Sequence, residues 1–358
     1  MNKRFVLPVF LLIQILLVQV LACFPGVVEA HYSNGIYPLL AVASRTVLGG
    51  LPFSAGDLCY LLLLFLGLKW WWKNRIGFFK NWKQHLLKVL SFLSVLYFLF
   101  HLLWGLNYYR IPLHKKMQLK PTYSFEQLER FTQKMVQQTN ALQTALTHDV
   151  ASKVQYDYTE NEMYTKAILG YEAMPKTVKL PRYTHTSVKS SLFSYPLSYM
   201  GFGGYLNPFT NEAQVNSLKP KYTSPITICH EMAHQLGYAS ENECNFIGFM
   251  AAWHHKDLYF KYSASTFAVT YCLYHLELMK KGSSKRYKNQ LNEGVLQNFN
   301  ENKLFWQQHQ TVINDFFAYF YDHFLKMNKQ KDGMESYSKF MSLLLNYEEK
   351  YSLVLYAH

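Results

Sequence analysis

Thr223-Ser224-Pro225-Ile226-Thr227-Ile228-Cys229-His230-Glu231-Met232-Ala233-His234-Gln235-Leu236-Gly237 is the stretch that decides the reading of this chain. Ser224 before Pro225 reads as a helix start, a capping side chain followed by proline at the first helical position. Gly237 stands where such a helix stops. Inside it lies H-E-x-x-H. A spacing of four on a 3.6-residue turn puts His230 and His234 on one face, where both imidazoles can reach one metal ion. Glu231, beside the first histidine, is set to reach a metal-bound water rather than the metal.

Hydrolytic zinc sites use three protein ligands and leave one position open to water. Just past Gly237 comes Ser240-Glu241-Asn242-Glu243-Cys244-Asn245-Phe246. Ser240 and Glu243 have the S-x-x-E form of a capping box for a second helix. That role occupies Glu243 with backbone amides and leaves Glu241 free to face the metal, so Glu241 is the favoured third ligand and Glu243 the alternative. Cys229 points about 100° away from His230 on the helix, and both Cys229 and Cys244 read as structural.

The chain around this motif has 358 residues, 50% hydrophobic and 17% aromatic, with 16% charged. Soluble domains carry about 25% charged residues, so part of this chain is expected in a membrane. The aromatic content excludes a disordered tail, and five cysteines without regular spacing exclude a disulfide scaffold. Residues 1–110 hold ten of the 36 Lys and Arg but only two of the 23 Asp and Glu. No basic stripe interleaved with aromatics occurs on the polar part, so nucleic acid is not an expected partner. Basic residues flanking membrane spans explain the excess.

Three apolar runs occupy residues 1–110. Phe5–Val28 has no charge and is long enough to span; a cleaved signal ending near Ala30, or a lipoprotein signal ending at Cys23, are its rivals. Leu58–Leu68 reaches a spanning length if extended to Trp70-Trp71-Trp72. Val89–Leu106 contains only His101 as a titratable group, read as packing. The segment from His31 to Gly50 reads as a short surface helix or loop. Lys69, Lys73, Arg75, Lys80 and Lys83 crowd the link between the second and third runs, and the positive-inside rule puts that link, with Lys3 and Arg4, in the cytoplasm. Three crossings then deliver residues 111–358 to the opposite side.

Beyond Pro121 the pattern is helical. Ser124-x-x-Gln127 and Thr159-x-x-Glu162 are capping-box signals for helices to about Thr147 and Ala173. Between Lys179 and Asn216, prolines and the cluster Gly201-Phe202-Gly203-Gly204 indicate turns and short strands; the cluster lacks the spacing of a dinucleotide fingerprint. Residues 302–327 and 335–351 read as two further helices separated by Lys331-Asp332-Gly333. The fold expected is mostly α (α+β): N-terminal transmembrane helices, then a helix-rich domain with a small sheet.

The segment H-E-M-A-H-Q-L-G-Y followed by E-N-E-C-N-F resembles the zincin metallopeptidases. Its second half is similar to the E-x-x-A-D or E-x-E-A-N helix of their glutamate-ligand branch, with Cys244 in the alanine place and Asn245 in the aspartate place. That resemblance makes Glu241 the ligand. More widely, Trp104–Arg110, Asn207–Asn216 and the helix pair resemble a family of bacterial multi-pass membrane proteins of unknown function. The two resemblances together imply a zincin-like domain at 111–358 of a bacterial cytoplasmic-membrane protein, and the placement of the basic residues puts that domain on the periplasmic or extracytoplasmic side. The expected chemistry is peptide hydrolysis at Zn²⁺ held by His230, His234 and Glu241. Glu231 takes a proton from water and passes it to the leaving amine. His275, Tyr271 and Tyr337 are the candidate oxyanion donors. In zincins, the strand before the motif helix pairs with an extended substrate, a place filled here by Tyr205–Asn216, which otherwise reads as a core strand. The expected partners are a peptide or protein substrate and the lipid bilayer. The rival is a non-catalytic membrane-anchored module that keeps the helix pair for structure; a transporter would require buried charges in its spans.

Overall fold

The computed structural model describes residues 3–327, 337–353 and 356. They form a mostly α-helical molecule with one three-stranded sheet. Helices α1 (Val6–Leu21), α2 (Tyr37–Leu48), α3 (Ala55–Asn74) and α4 (Trp82–Leu103) come first. The long helices α5 (Phe125–Thr147) and α6 (Glu160–Ala173) follow, each opened by the capping box expected from its sequence. Strand β1 (Val188–Ser190), helix α7 (Ser194–Met200), β2 (Gly204–Leu206) and β3 (Ala213–Val215) lead into the motif helix α8 (Ser224–Gln235). After it come α9 (Glu241–His254), α10 (Leu258–Met279), α11 (Glu293–His309), α12 (Val312–Met327) and α13 (Tyr337–Tyr351).

Among the described residues, two helices are long and apolar enough to cross a membrane, Lys3–Leu21 and Trp82–Leu103. Only 11% of the apolar window of each is buried, so neither is the core helix of a soluble domain. The first ends at Leu21, short of Val28, because Pro25 cannot continue the i to i−4 ladder. Helix α3 has 20 residues and exposes Leu62, Leu64, Phe65 and Leu68. It starts against the sheet, where Glu212 accepts from the amides of Ala55 and Gly56 at 3.1 and 2.6 Å. Its other end meets the start of α4 through Trp70 and His85, 5.5 Å apart. The link between the two helices, with Lys73, Arg75, Lys80 and Lys83 in or beside it, therefore lies at the end of α3 opposite the sheet, and α4 packs on α1. His101 is buried within α4, with Nδ1 3.0 Å from the Tyr97 carbonyl, as packing requires.

The segment from His31 to Gly50 is helical rather than a loop, and its helix exposes Leu39 and Val47 on one side while burying the other. A π-helical turn, Val28–Ile36, runs directly into α2, and Tyr37, Ala41 and Arg45 are buried. Contacts therefore cross residue 110. Arg110 donates twice to Glu29, at 3.0 and 2.9 Å, and Lys116 adds a third bond at 3.0 Å. Cleavage after Ala30 would strip Arg110 of this partner.

The core centres on α9, buried at every position from Asn242 to Trp253. Helices α6, α8, α10 and α13 pack around it, and α10 packs on α5. In the sheet, β3 is central, parallel to β1 and antiparallel to β2.

Three local expectations change. Ser224 is the first helical residue rather than the cap; a 3₁₀ turn over Lys221–Thr223 leads in, and Ser263 of α10 takes the amide of Ile226 at 3.2 Å. A tertiary partner has replaced the local cap. Ser240 makes no capping bond, and Glu243 accepts instead from the amide of Leu113 at 2.6 Å. Residues 302–327 are not one helix. Gln310 turns extended between α11 and α12, and the helix restarts at Val312. Lys331-Asp332-Gly333 lies outside the described residues.

Candidate metal centre

Helix α8 ends in a Schellman motif. Gly237 has φ +82°, its amide meets the His234 carbonyl at 2.9 Å, and the Tyr238 amide reaches Ala233 at 3.3 Å. The last carbonyls of a helix have no intrahelical donors and carry partial negative charge. Here the N-terminal region supplies the donors. Tyr37 Oη and Arg45 Nη1 bond the Gln235 carbonyl at 2.8 and 3.1 Å. Trp104 Nε1 bonds that of His234 at 3.1 Å, and Arg110 Nη1 that of Gly237 at 2.7 Å.

One helical turn earlier, the two imidazoles share a face, with ring centroids 4.9 Å apart. His230, Glu231 and His234 offer ligand atoms that all lie within 4.8 Å of one another. Glu241, in the first turn of α9, joins them: its carboxylate oxygens lie 3.1 Å from His230 Nε2 and 3.7 Å from His234 Nε2. Each ring is oriented from behind. His230 Nδ1 is 2.8 Å from Asn245 Oδ1, and His234 Nδ1 is 2.8 Å from the Tyr238 carbonyl. Both of those oxygens can only accept, so each Nδ1 carries a proton and each Nε2 faces the shared space, its lone pair open to a cation once that nitrogen is deprotonated.

The charges agree with this geometry. Burial opposes ionisation of Glu241, but His234 and His230 outweigh it and hold the carboxyl well below the carboxylate range. Burial likewise opposes charge on His234, and Cys244 and Glu241 overcome it, raising the imidazole well above its ordinary value. Glu231 is raised by burial, and its Oε2 atom has no hydrogen-bond partner. Its other oxygen presses on the sheet: a Cβ at Gly204 of β2 would sit 2.7 Å from Glu231 Oε1, which is why this position carries no side chain.

Glu241 rather than Glu243 faces the imidazoles, yet the capping box that favoured it in sequence does not form. Glu243 is held by Leu113, with Arg110 and Lys116 acting on it. Cys229 and Cys244 are both buried; the Cys244 thiol, pushed up to about 12 by burial, donates to the Tyr238 carbonyl at 3.0 Å. Of the expected oxyanion donors, Tyr271 stands behind Asn245, whose Nδ2 donates to its hydroxyl at 3.3 Å. His275 pairs with Tyr123 at 3.2 Å, and neither residue lines the cavity at the centre. The side chain of Tyr337 lies outside the described residues.

Sequence reasoning missed two residues here. Tyr108 lines the cavity and lies in the field of Glu241. Lys219 is buried, bonds the Thr223 carbonyl at 2.9 Å, and is brought down to about 7 by burial, with Glu231 opposing that shift. Tyr108 falls in the Trp104–Arg110 stretch already singled out; nothing in the sequence marks Lys219. The expected edge strand divides in two. β2 is an edge strand and lines the cavity, whereas β3 is the fully buried central strand. Gly201, at φ +81°, closes α7 ahead of β2 as the glycine cluster suggested.

The cavity over the cluster has a volume of about 790 Å³. This chain belongs to the DUF3810 family of proteins of unknown function, whose pattern matches residues 32–345. No curated protein and no solved structure matches it.

Proposed function

We propose that the chain is a membrane-anchored zinc metallopeptidase of the zincin type, with His230, His234 and Glu241 as ligands and Glu231 as general base. One observation carries this reading. Two imidazoles whose Nδ1 atoms are already engaged turn their Nε2 atoms onto one carboxylate, while a second, buried carboxylate keeps a free oxygen beside them. An N, N, O donor set of this kind suits zinc. The field that holds a proton between His234 and Glu241 also favours a divalent cation there.

When bound, the cation lowers the pKa of its water to about 7 and polarises a carbonyl. The rest is the work of the chain. Glu231 Oε2 accepts the proton from water and returns it to the leaving amine. Tyr108 is the cavity phenol in the field of Glu241, suited to donate to a developing oxyanion. The β2 edge supports an extended peptide by main-chain bonds.

The basic link between α3 and α4 supports a multi-pass topology in a bacterial cytoplasmic membrane, with the metal centre extracytoplasmic. The test is peptide hydrolysis by the full-length protein in detergent, with and without chelator, beside Glu231→Gln. Loss of turnover in both arms is expected. Turnover that persists in Glu231→Gln removes the assigned role, and bound zinc without any hydrolysis favours a binding module.

A further inference from the structure

The cavity lining combines a polar cluster with a larger set of apolar and aromatic residues. Around the cluster it is polar, with His230, Glu231, His234, Glu241 and Asn245. The rest of the lining is largely apolar, and part of it comes from helices that expose apolar surface: Tyr60 of α3, Phe100 of α4, Phe317 and Phe320 of α12. The lining of the cavity is therefore continuous with a helix long and apolar enough to cross a bilayer.

Helix α12 adds an independent observation. It packs on α7 and turns Phe317 and Phe320 to the cavity, yet Val312, Phe316 and Tyr319 are 83%, 61% and 66% exposed. Asp322 and Lys326 pair at 2.7 Å on the same helix. An amphipathic helix with exposed aromatics beside membrane-length helices is built to lie at a bilayer surface.

We infer that the substrate is an apolar peptide segment presented from the membrane surface, which passes along α12 and buries large apolar side chains in this cavity. The inference rests on the metallopeptidase reading for the cleavage step, although not for binding. A volume of about 790 Å³ takes several large side chains. A polar segment would leave hydrogen-bonding groups unpaired against these walls, at a cost of roughly tenfold or more in affinity for each.

The test uses full-length Glu231→Gln protein in detergent and two labelled peptides of equal length, one rich in Leu and Phe, the other in Ser and Gln, read by fluorescence anisotropy. The apolar peptide is expected to bind at least tenfold more tightly. Phe320→Asp, at a half-exposed position, is expected to lower that affinity about tenfold while zinc content stays at its parent value. Equal binding of the two peptides overturns the inference, as does an unchanged affinity in Phe320→Asp. So does displacement of neither peptide by the other together with tight binding of a phospholipid. Selective binding of the apolar peptide, with zinc-bound wild-type protein that cleaves nothing, leaves this inference standing and removes the peptidase reading instead. Cleavage of both peptides by wild-type protein with equal kcat/KM does the reverse.

Discussion

Asn245 Oδ1 lies 2.8 Å from His230 Nδ1 and holds that ring with Nε2 turned to Glu241. A partner of this kind fixes the tautomer of a metal-binding histidine and raises its basicity, and its loss typically lowers metal affinity 10–100-fold. Asn245→Ala is expected to weaken zinc binding by about that factor, measured by competition with a chelating dye. Asn245→Asp keeps an acceptor in place and is expected to restore most of the affinity. Equal affinity in the alanine variant would mean that the ring is held by α8 alone.

Gly204 and Glu231 are in contact through space that a methyl group would fill. A Cβ there meets Glu231 Oε1 and the Gln214 carbonyl, each at 2.7 Å. Gly204→Ala is expected to displace Glu231 and, with Glu231 as the proposed base, lower kcat by about 100-fold, the usual scale for a misplacement of 1 Å. Zinc content should be unchanged, since no ligand is touched. Equal loss of metal and turnover would put the effect in the fold rather than in Glu231.

The Glu29–Arg110 pair predicts how stability depends on pH. Burial alone would raise the Glu29 carboxyl, but bonding and charge from Arg110, joined by Lys116, bring it down to about 2 from 4.5. A depressed carboxylate stabilises the fold fully above its unfolded value and loses that contribution as pH falls towards the folded one. The unfolding midpoint should therefore hold down to about pH 4.5 and then decline towards pH 2. Glu29→Gln is expected to cost about 3 kcal/mol at neutral pH, with the difference from wild type closing in that acid window. A constant difference across the window would contradict the assignment.

The four donors at the end of α8 make the proposed metal centre depend on the first third of the chain. Tyr37→Phe removes one bond to the Gln235 carbonyl and is expected to cost about 1 kcal/mol of stability. A fragment of residues 111–358 lacks Tyr37, Arg45, Trp104 and Arg110 together, and is expected to lose both cooperative unfolding and tight zinc binding. A fragment that binds zinc like the full chain would show that α8 needs no such support.

Local signals carried much of this architecture into the sequence. Ser124 with Gln127 and Thr159 with Glu162 are complete capping boxes within four residues, and H-E-x-x-H fixes its own face by helical period. Failures came where a distant partner displaced a local one. Glu243 has the spacing to cap α9 but bonds Leu113, 130 residues away. Ser263 does for Ile226 what Ser224 was expected to do. Tyr37 and Arg45 sit in a segment of ordinary composition, and only the folded chain brings them to Gln235. Lys219 is exposed by type and buried in fact.

Metal content tests the central claim most directly. Full-length protein purified without chelator should carry about one zinc per chain by elemental analysis. Glu231→Gln should carry the same, and His230→Ala, His234→Ala and Glu241→Ala should carry little. Wild-type protein free of metal, or a zinc content indifferent to loss of both histidines, would contradict the account.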